Sequence, residues 1–298
     1  MRWIRDTEPN SELSRRFRTA MLFTFFGNLV LAGLKLSAAY FSGSSAIYAD
    51  AINSVSDVLY SILLIISLWL SQQPPDISHP QGHSRFEPFA ALIVTLSMAF
   101  SGYEALRVSI QRFMEGGASI DFSLPAAALF FSIAVKAIMF WGINRTARRL
   151  SSPGLEAAAK DNITDVITSL AAILGILASN LANPLFDPIA GIIVALWIFR
   201  AVWVTAKENL GYLTGAGADT ETRQKFIEIV SKIPGVENIH HVITDYAGPR
   251  FVVEVHINAR GEISLNQAHE ICDRATEELE KLDEVDRAYV HVEPLDHT

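Results

Sequence analysis

Long apolar runs dominate the first two-thirds of the chain, and shorter alternations of polar and apolar residues take over in the last third. Six stretches reach the length of apolar sequence that crosses a bilayer core as an α-helix, roughly 20 residues. They run from Phe17 to Phe41, Ala46 to Leu70, Phe86 to Phe113, Phe122 to Trp141, Leu155 to Leu181, and Pro188 to Thr205, and the second and fifth read as the weakest by hydropathy. Beyond them the period changes. A helix-period stretch from Glu221 to Lys232 ends at Pro234-Gly235, and two strand-like alternations follow, Val236 to Tyr246 and Arg250 to Ala259, joined through Ala247-Gly248-Pro249. A charged amphipathic helix from Leu265 to Leu282 and a last strand from Asp286 to Val292 complete an αββαβ order. The expected architecture is a membrane α-helical domain of six transmembrane helices and a small C-terminal α+β domain. The expected bounds are a cytoplasmic N-terminal segment at 1–16, the membrane domain at 17–209 and the αββαβ domain at 210–298. The junction Leu213-Thr214-Gly215-Ala216-Gly217-Ala218 has the chemistry of a linker and is expected to act as a hinge.

Composition agrees with a membrane protein, since 50% of the 298 residues are hydrophobic and only 19% are charged. Basic residues set the expected orientation, because Lys and Arg favour cytoplasmic loops. Arg15, Arg16 and Arg18 precede the first span, Arg85 follows the second, Arg145, Arg148 and Arg149 follow the fourth, and Lys207 follows the sixth, all on one side of an even-numbered topology. Arg107 and Arg112, near the end of the third span, weaken the contrast. Both termini are therefore expected in the cytoplasm. Trp69, Trp141 and Trp203 fall near expected membrane boundaries, as interfacial anchors do. No cleavable signal peptide is expected, because the first residues are charged and the first apolar run is long. The net charge of −8 comes largely from the tail, where acids outnumber Lys and Arg by about two to one. That balance argues against nucleic acid as a partner, since a basic stripe is absent. A single cysteine, Cys272, excludes an internal disulfide and a thiolate zinc cage.

Three constellations carry chemistry. The first lies at membrane depth, where ionisable groups are costly and mark a substrate path, a proton relay or a buried pair. Asn53 and Asp57 in the second span, and Asp161 and Asp165 in the fifth, are spaced four apart, so each pair shares one helix face. Two such faces make a four-oxygen cation site, with Asp50, one turn before Asn53, as an access residue. The alternative is that each acid pairs with a cation such as Lys35 or Lys136 and only holds helices together. Oxygen donors without imidazole or thiolate suit a hard or borderline divalent ion such as Mn²⁺ better than Zn²⁺. The second constellation is Asp76, His79 and His83 in a Pro/Gly-bearing loop, the composition of a small metal site. The third is in the tail, with His240 and His241 opening a strand, His256 on the next, His269 on the helix, and His291 and Glu293 on one face of the last strand.

Taken together, these residues resemble the cation diffusion facilitator family over nearly the whole chain. The signals are Ser42-Gly43-Ser44 through Ala49-Asp50 into Asn53 and Asp57; Asp76, His79-Pro80, Gly82-His83; Asp161 and Asp165; Pro234-Gly235-Val236; and Gln267-Ala268-His269. The resemblance implies a homodimer of six-helix protomers in a lipid bilayer, each with a metallochaperone-like αββαβ cytoplasmic domain, exporting divalent metal in exchange for protons. It places Asn53, Asp57, Asp161 and Asp165 on the transport site, Asp76, His79 and His83 on a loop metal site, and His240, His256, His269 and His291 on a tail site at the dimer contact, with Glu293 where a zinc-transporting member has Asp. Zinc-transporting members commonly have His at the position of Asp161, and the set found here is similar to that of the bacterial manganese efflux branch. Arg85 occupies the position of a lysine that makes an inter-subunit charge contact in such a member, whose acidic partner would fall near Thr214 or Gly215. The expected activity is Mn²⁺ efflux by alternating access from a bacterial inner membrane, without a catalytic cofactor; Zn²⁺ or Fe²⁺ export is the alternative. A metal sensor without flux is a more remote reading. A membrane-embedded hydrolase is another, although no nucleophile or phosphate-cradle motif is present.

Overall fold

The computed structural model describes residues 11–42, 45–116 and 123–295. Among these, six long helices form the first of two compact units, Met1–Asn209, and the second unit is Leu210–Thr298. The long helices are α1 (Ser11–Ser42), α2 (Ser45–Ser71), α3 (Phe86–Met114), α4 (Ser123–Leu150), α5 (Pro153–Leu181) and α6 (Phe186–Thr214). Each outruns the apolar stretch expected from the sequence. Hydropathy marks only the lipid-crossing part, whereas the 28 residues of α4 span about 42 Å at 1.5 Å per residue, well beyond a ~30 Å hydrocarbon core. The last helix shows this most clearly, because α6 runs on through Thr214 and takes the first two residues of the expected hinge.

Four segments are long and apolar enough to cross a membrane by composition alone among the described residues: Arg15–Ser37, Ser54–Ser71, Phe86–Met114 and Phe186–Thr214. Within α4 and α5, charge lowers the apolar signal: Lys136 sits inside α4, and Lys160, Asp161 and Asp165 inside α5. The described part of the second expected span, Ser54–Ser71, has a mean hydropathy of 1.7.

Leu22, Phe26, Val30, Leu96, Phe100, Leu174, Leu196 and Trp203 are exposed on the surface of the first unit, while Asn28, Asp57, Ser61, Lys136 and Asn162 are buried within an apolar core that includes Leu31, Leu68 and Met139. Apolar side chains outside and the ionisable ones turned inside is the distribution that lipid selects. In this unit α1 packs along α2 and α4, α4 along α5, and α3 against both α2 and α5. The α3–α5 contact is close because Ala90, Ala91, Ala157, Ala158 and Ala159 are small and buried. Helix α5 begins where Ser152 Oγ accepts from the Leu155 amide at 3.2 Å, with Pro153 at the first helical position. The Ser152 hydroxyl also donates to the buried carboxylate of Glu87 near the start of α3, which ties the two helix starts together.

The second unit contains α7 (Thr220–Ser231), β1 (Asn238–Ala247), β2 (Arg250–Ala259), α8 (Leu265–Glu280) and β3 (Val285–Pro294). The sheet order is β1-β2-β3, antiparallel between β1 and β2 and parallel between β2 and β3, so α8 is the crossover. Phe251, Val253, Val255 and Ile257 line one face of β2 and pack with Phe226, Val230, Ala275 and Leu279 of the two helices. The other face of β2 carries Glu254 and His256. Helix α8 starts on a capping box, in which Ser264 and Gln267 exchange side-chain to backbone hydrogen bonds.

Candidate metal centres

Helices α2 and α5 carry the acids, and α4 supplies what lies between them. Lys136, 3% exposed, places Nζ 3.0 Å from Asp57 Oδ2 and 2.6 Å from Asp165 Oδ2. The structure therefore brings Asp57 and Asp165 to one buried point, with an ammonium at that point. Of the two cations expected as possible partners, Lys136 bridges the acids of both helices. Asp161, one turn before Asp165, lines a small cavity of about 20 Å³ together with Asp57, Asn28, Ser61 and Asn162. That volume holds one water. Asn28 on α1 donates to Ser61 Oγ at 2.8 Å, and Ser61 donates in turn to the Asp57 carbonyl at 2.8 Å. The Oδ1 atoms of Asn28 and Asn162 are buried without a hydrogen-bond partner. Two orphaned acceptors on one polar cavity are an unusual cost, and they face the kind of space a water or a cation fills. Neither residue was singled out by sequence pattern. The available signal was the amide of Asn28 inside an otherwise apolar run.

On the other side of the Asp57–Lys136–Asp165 bridge lies a much larger cavity of about 490 Å³. Its wall includes Glu104, Ser132, Thr168 and Ser169, and it extends to Asp187 in the first turn of α6, where Arg112 donates to Asp187 Oδ2 at 3.0 Å. Asn53 and Asp50 fall on α2, but their side chains lie outside the described residues.

The loop between α2 and α3 assembles the second set. Asp76 Oδ1 accepts from the His79 amide at 2.6 Å, and the Asp76 amide donates back to the His79 carbonyl at 3.2 Å. The turn closes through Gly82, whose φ of 105° is accessible to glycine with little strain. This reciprocal turn sets Asp76 Oδ1 3.5 Å from His79 Nδ1 and Asp76 Oδ2 3.5 Å from His83 Nε2. Ligand atoms of Asp76, His79 and His83 all lie within 4.8 Å of one another. The amide of His79 holds the Asp76 carboxyl below its ordinary range, so it stays ionised and ready as a ligand. His83 is buried against Phe86, with the ring centroids 5.8 Å apart. Arg85 is exposed at the N-cap of α3.

In the second unit the register aligns His241, His256 and His291 across β1, β2 and β3. A bulge between Ile239 and His241 makes His240 the extra residue, so His240 and His241 both oppose His256. His240 thereby reaches Glu293, with Nε2 to Oε2 at 3.3 Å, and His240, His256 and Glu293 offer ligand atoms within 4.8 Å of one another. His291 lies 3.3 Å from Glu293 Oε1 on the same face. Glu254, not expected from the sequence, meets His256 Nε2 at 3.0 Å and fixes its ring as outer-shell carboxylates do. The structure does not bring His269 into this group. It is exposed on α8 and faces Asp273 one turn on, at 3.6 Å. The loop and tail trios are the metal-competent sets among the described residues, whereas Asp57 and Asp165 hold an ammonium between them.

Comparison with known proteins agrees with this division of the chain. Residues 21–214 match the family profile described as the cation efflux transmembrane domain, and residues 218–295 match the cation efflux protein cytoplasmic domain. An archaeal protein named only as an uncharacterized transporter, from Methanocaldococcus jannaschii, is 32% identical over 95% of this chain and 100% of its own. The manganese efflux system protein MneS of Bacillus subtilis is 27% identical over 95% of this chain and 97% of its own. Metal tolerance protein 2 of rice, Oryza sativa, is 30% identical over 97% of this chain and 80% of its own.

Proposed function

Because the chain belongs to the cation efflux family of divalent metal transporters, we propose that it exports Mn²⁺ in exchange for protons by alternating access, with Asn53, Asp57, Asp161 and Asp165 as the cargo ligands. The observation that carries this reading is the convergence of Asp57 and Asp165, from different helices, on one buried position already held by a positive charge. Oxygen donors alone suit manganese, and two manganese efflux proteins of Bacillus subtilis, MneS and MneP, are similar to this chain along 95% of its length. Zn²⁺ or Fe²⁺ as cargo is the alternative, supported by the imidazoles of the loop and tail trios.

The two cavities support an outward-open state. The roughly 490 Å³ cavity reaches the α3–α6 end, taken as the outside from the basic residues, whereas the cavity that Asp57 shares with Asp161 is only about 20 Å³ and the roughly 460 Å³ pocket among Arg15, Arg16 and Arg149 touches none of Asp57, Asp161 and Asp165. Loading from the cytoplasm then requires the small cavity to widen, and release proceeds through the large one. On this reading Asp50 lines the access path, both termini are cytoplasmic, and the protein is a homodimer in the plasma membrane of a bacterium. Cytoplasmic metal at His240, His256, His291 and Glu293 favours one conformation through its differential affinity.

The test is Mn²⁺ flux with coupled proton movement in proteoliposomes. Asp57→Ala and Asp165→Ala should each abolish it, and retained transport in either variant overturns the site. Selectivity is read separately: Asn53→His with Asp161→His should shift the transport ratio from Mn²⁺ towards Zn²⁺.

A further inference from the structure

Lys136 is a costly residue to place at membrane depth, as costly as the acids it meets. A helix staple needs one carboxylate, yet its ammonium contacts two, contributed by α2 and α5 at 3.0 and 2.6 Å. These are the helices whose acids hold the cargo on the reading above. A divalent ion sits about 2.0–2.6 Å from its carboxylate oxygens. It cannot share Asp57 Oδ2 and Asp165 Oδ2 with an ammonium that already fills the space between them. Ion and ammonium are mutually exclusive occupants.

We propose that Lys136 is a tethered competitor of the transported cation, filling the charge position between Asp57 and Asp165 in the empty transporter and restricting loading to ions of charge greater than one. This rests on the assignment of Asp57 and Asp165 as cargo ligands. Attraction to a fixed pair of carboxylates scales with the charge of the ion at a given distance. A sodium or potassium ion gains no more from the pair than the ammonium it displaces, and it must also shed its water. A divalent ion gains twice as much. The displaced lysine has somewhere to go, because Lys136 lines the large cavity beside Glu104 and Ser132, and its four-carbon stem is flexible. The tether also means that the carboxylates keep a counter-charge after the cargo leaves.

The test is Mn²⁺ binding to the full-length transporter in nanodiscs, with sodium chloride compared against the chloride of a large organic cation at equal ionic strength. Wild type and Lys136→Arg should bind equally in both salts. Lys136→Met should bind at least about tenfold tighter in the organic salt, and sodium should compete with it. A lysine that only staples helices gives the opposite result, weaker binding and no sodium competition, and that outcome overturns the proposal. Adding Asp57→Ala to Lys136→Met separates the two layers: loss of binding upholds the cargo site, while retained tight binding removes that site whatever Lys136 does. If Lys136→Met does not fold, amine acetylation of the wild type read by mass spectrometry decides. Mn²⁺ should raise labelling of Lys136 severalfold by releasing it into the cavity, and unchanged or reduced labelling overturns the displacement.

Discussion

Replacing His256 with alanine should abolish metal-dependent stabilisation of the C-terminal sheet, and replacing His269 should leave it intact. The geometry separates the two histidines. His240, His256 and Glu293 come from β1, β2 and β3, so an ion held by all three cross-links every strand of the sheet. His269 stands exposed on α8 with Asp273 as its neighbour. An ion that binds only the folded sheet stabilises it by RT ln(1 + [L]/Kd), about 2.7 kcal/mol at a hundredfold excess over Kd. His256 is the central ligand, and its loss leaves one imidazole and one carboxylate. If affinity falls about a hundredfold, the same metal concentration gives only about 0.4 kcal/mol. Hydrogen exchange of β2 amides in the full-length protein, with Mn²⁺ and Zn²⁺ titrated separately, reads that difference directly as opening free energy. Equal losses in the His256 and His269 variants, or full protection retained without His256, would refute the reasoning.

Two further outcomes follow from the packing and the charges. At Gly191, a Cβ would lie 2.1 Å from Ser109 Oγ and 3.1 Å from Ser109 Cβ, so α6 approaches α3 too closely for a side chain. Gly191→Ala should destabilise the protein by about 1–3 kcal/mol, with Ser109→Ala recovering much of the loss in the double variant; an unchanged melting temperature for Gly191→Ala contradicts that approach. Glu284 meets Lys225, which holds its carboxyl below the ordinary range. A lowered folded-state pKa contributes stability above the unfolded carboxylate value and loses it as pH falls through the folded one. Lys225→Met should therefore cost up to about 1 kcal/mol at neutral pH after solvent screening and nothing in acid, read as the difference in α7 exchange between the two pH ranges; a difference that persists in acid refutes the pairing.

Local chemistry explains which parts were legible in the sequence. The bounds of β2 read directly as Arg250–Ala259 because a turn with Gly248 at φ 74° precedes it and the alternation is uninterrupted. The start of α8 was equally legible, since Ser264 and Gln267 supply both halves of its cap. The bulge at His240 left no such mark: no glycine or proline signals it, and only the register against β2 makes His240 the extra residue. Charge pairing at membrane depth was half legible. Spacing gave the acid faces of α2 and α5, but that Lys136 reaches the acids of both helices depends on how α4 packs along α5, a tertiary fact with no local signal. Asn28 was missed for the opposite reason. A single amide in an apolar run carries little weight until its oxygen is found buried and without a partner.

The distribution of donors between the sites follows a physical logic of its own. Cargo must be bound and then released within one cycle, so its site gains from hard, readily exchanged oxygen ligands and from a competitor that re-forms the empty state, the roles proposed above for Asp57, Asp165 and Lys136. A regulatory ion has to stay long enough to bias a conformation, which favours imidazoles held in fixed rotamers. The loop and tail trios both combine two imidazoles with one carboxylate on constrained backbone, a reciprocal turn in one case and a bulged sheet in the other. The separation makes the two roles independently addressable. Changes at His240 or Glu293 should alter how metal concentration sets the rate and leave the choice of ion to Asn53, Asp57, Asp161, Asp165 and Lys136. A change in the Mn²⁺ to Zn²⁺ transport ratio on substituting His240 alone would show that the tail takes part in selection.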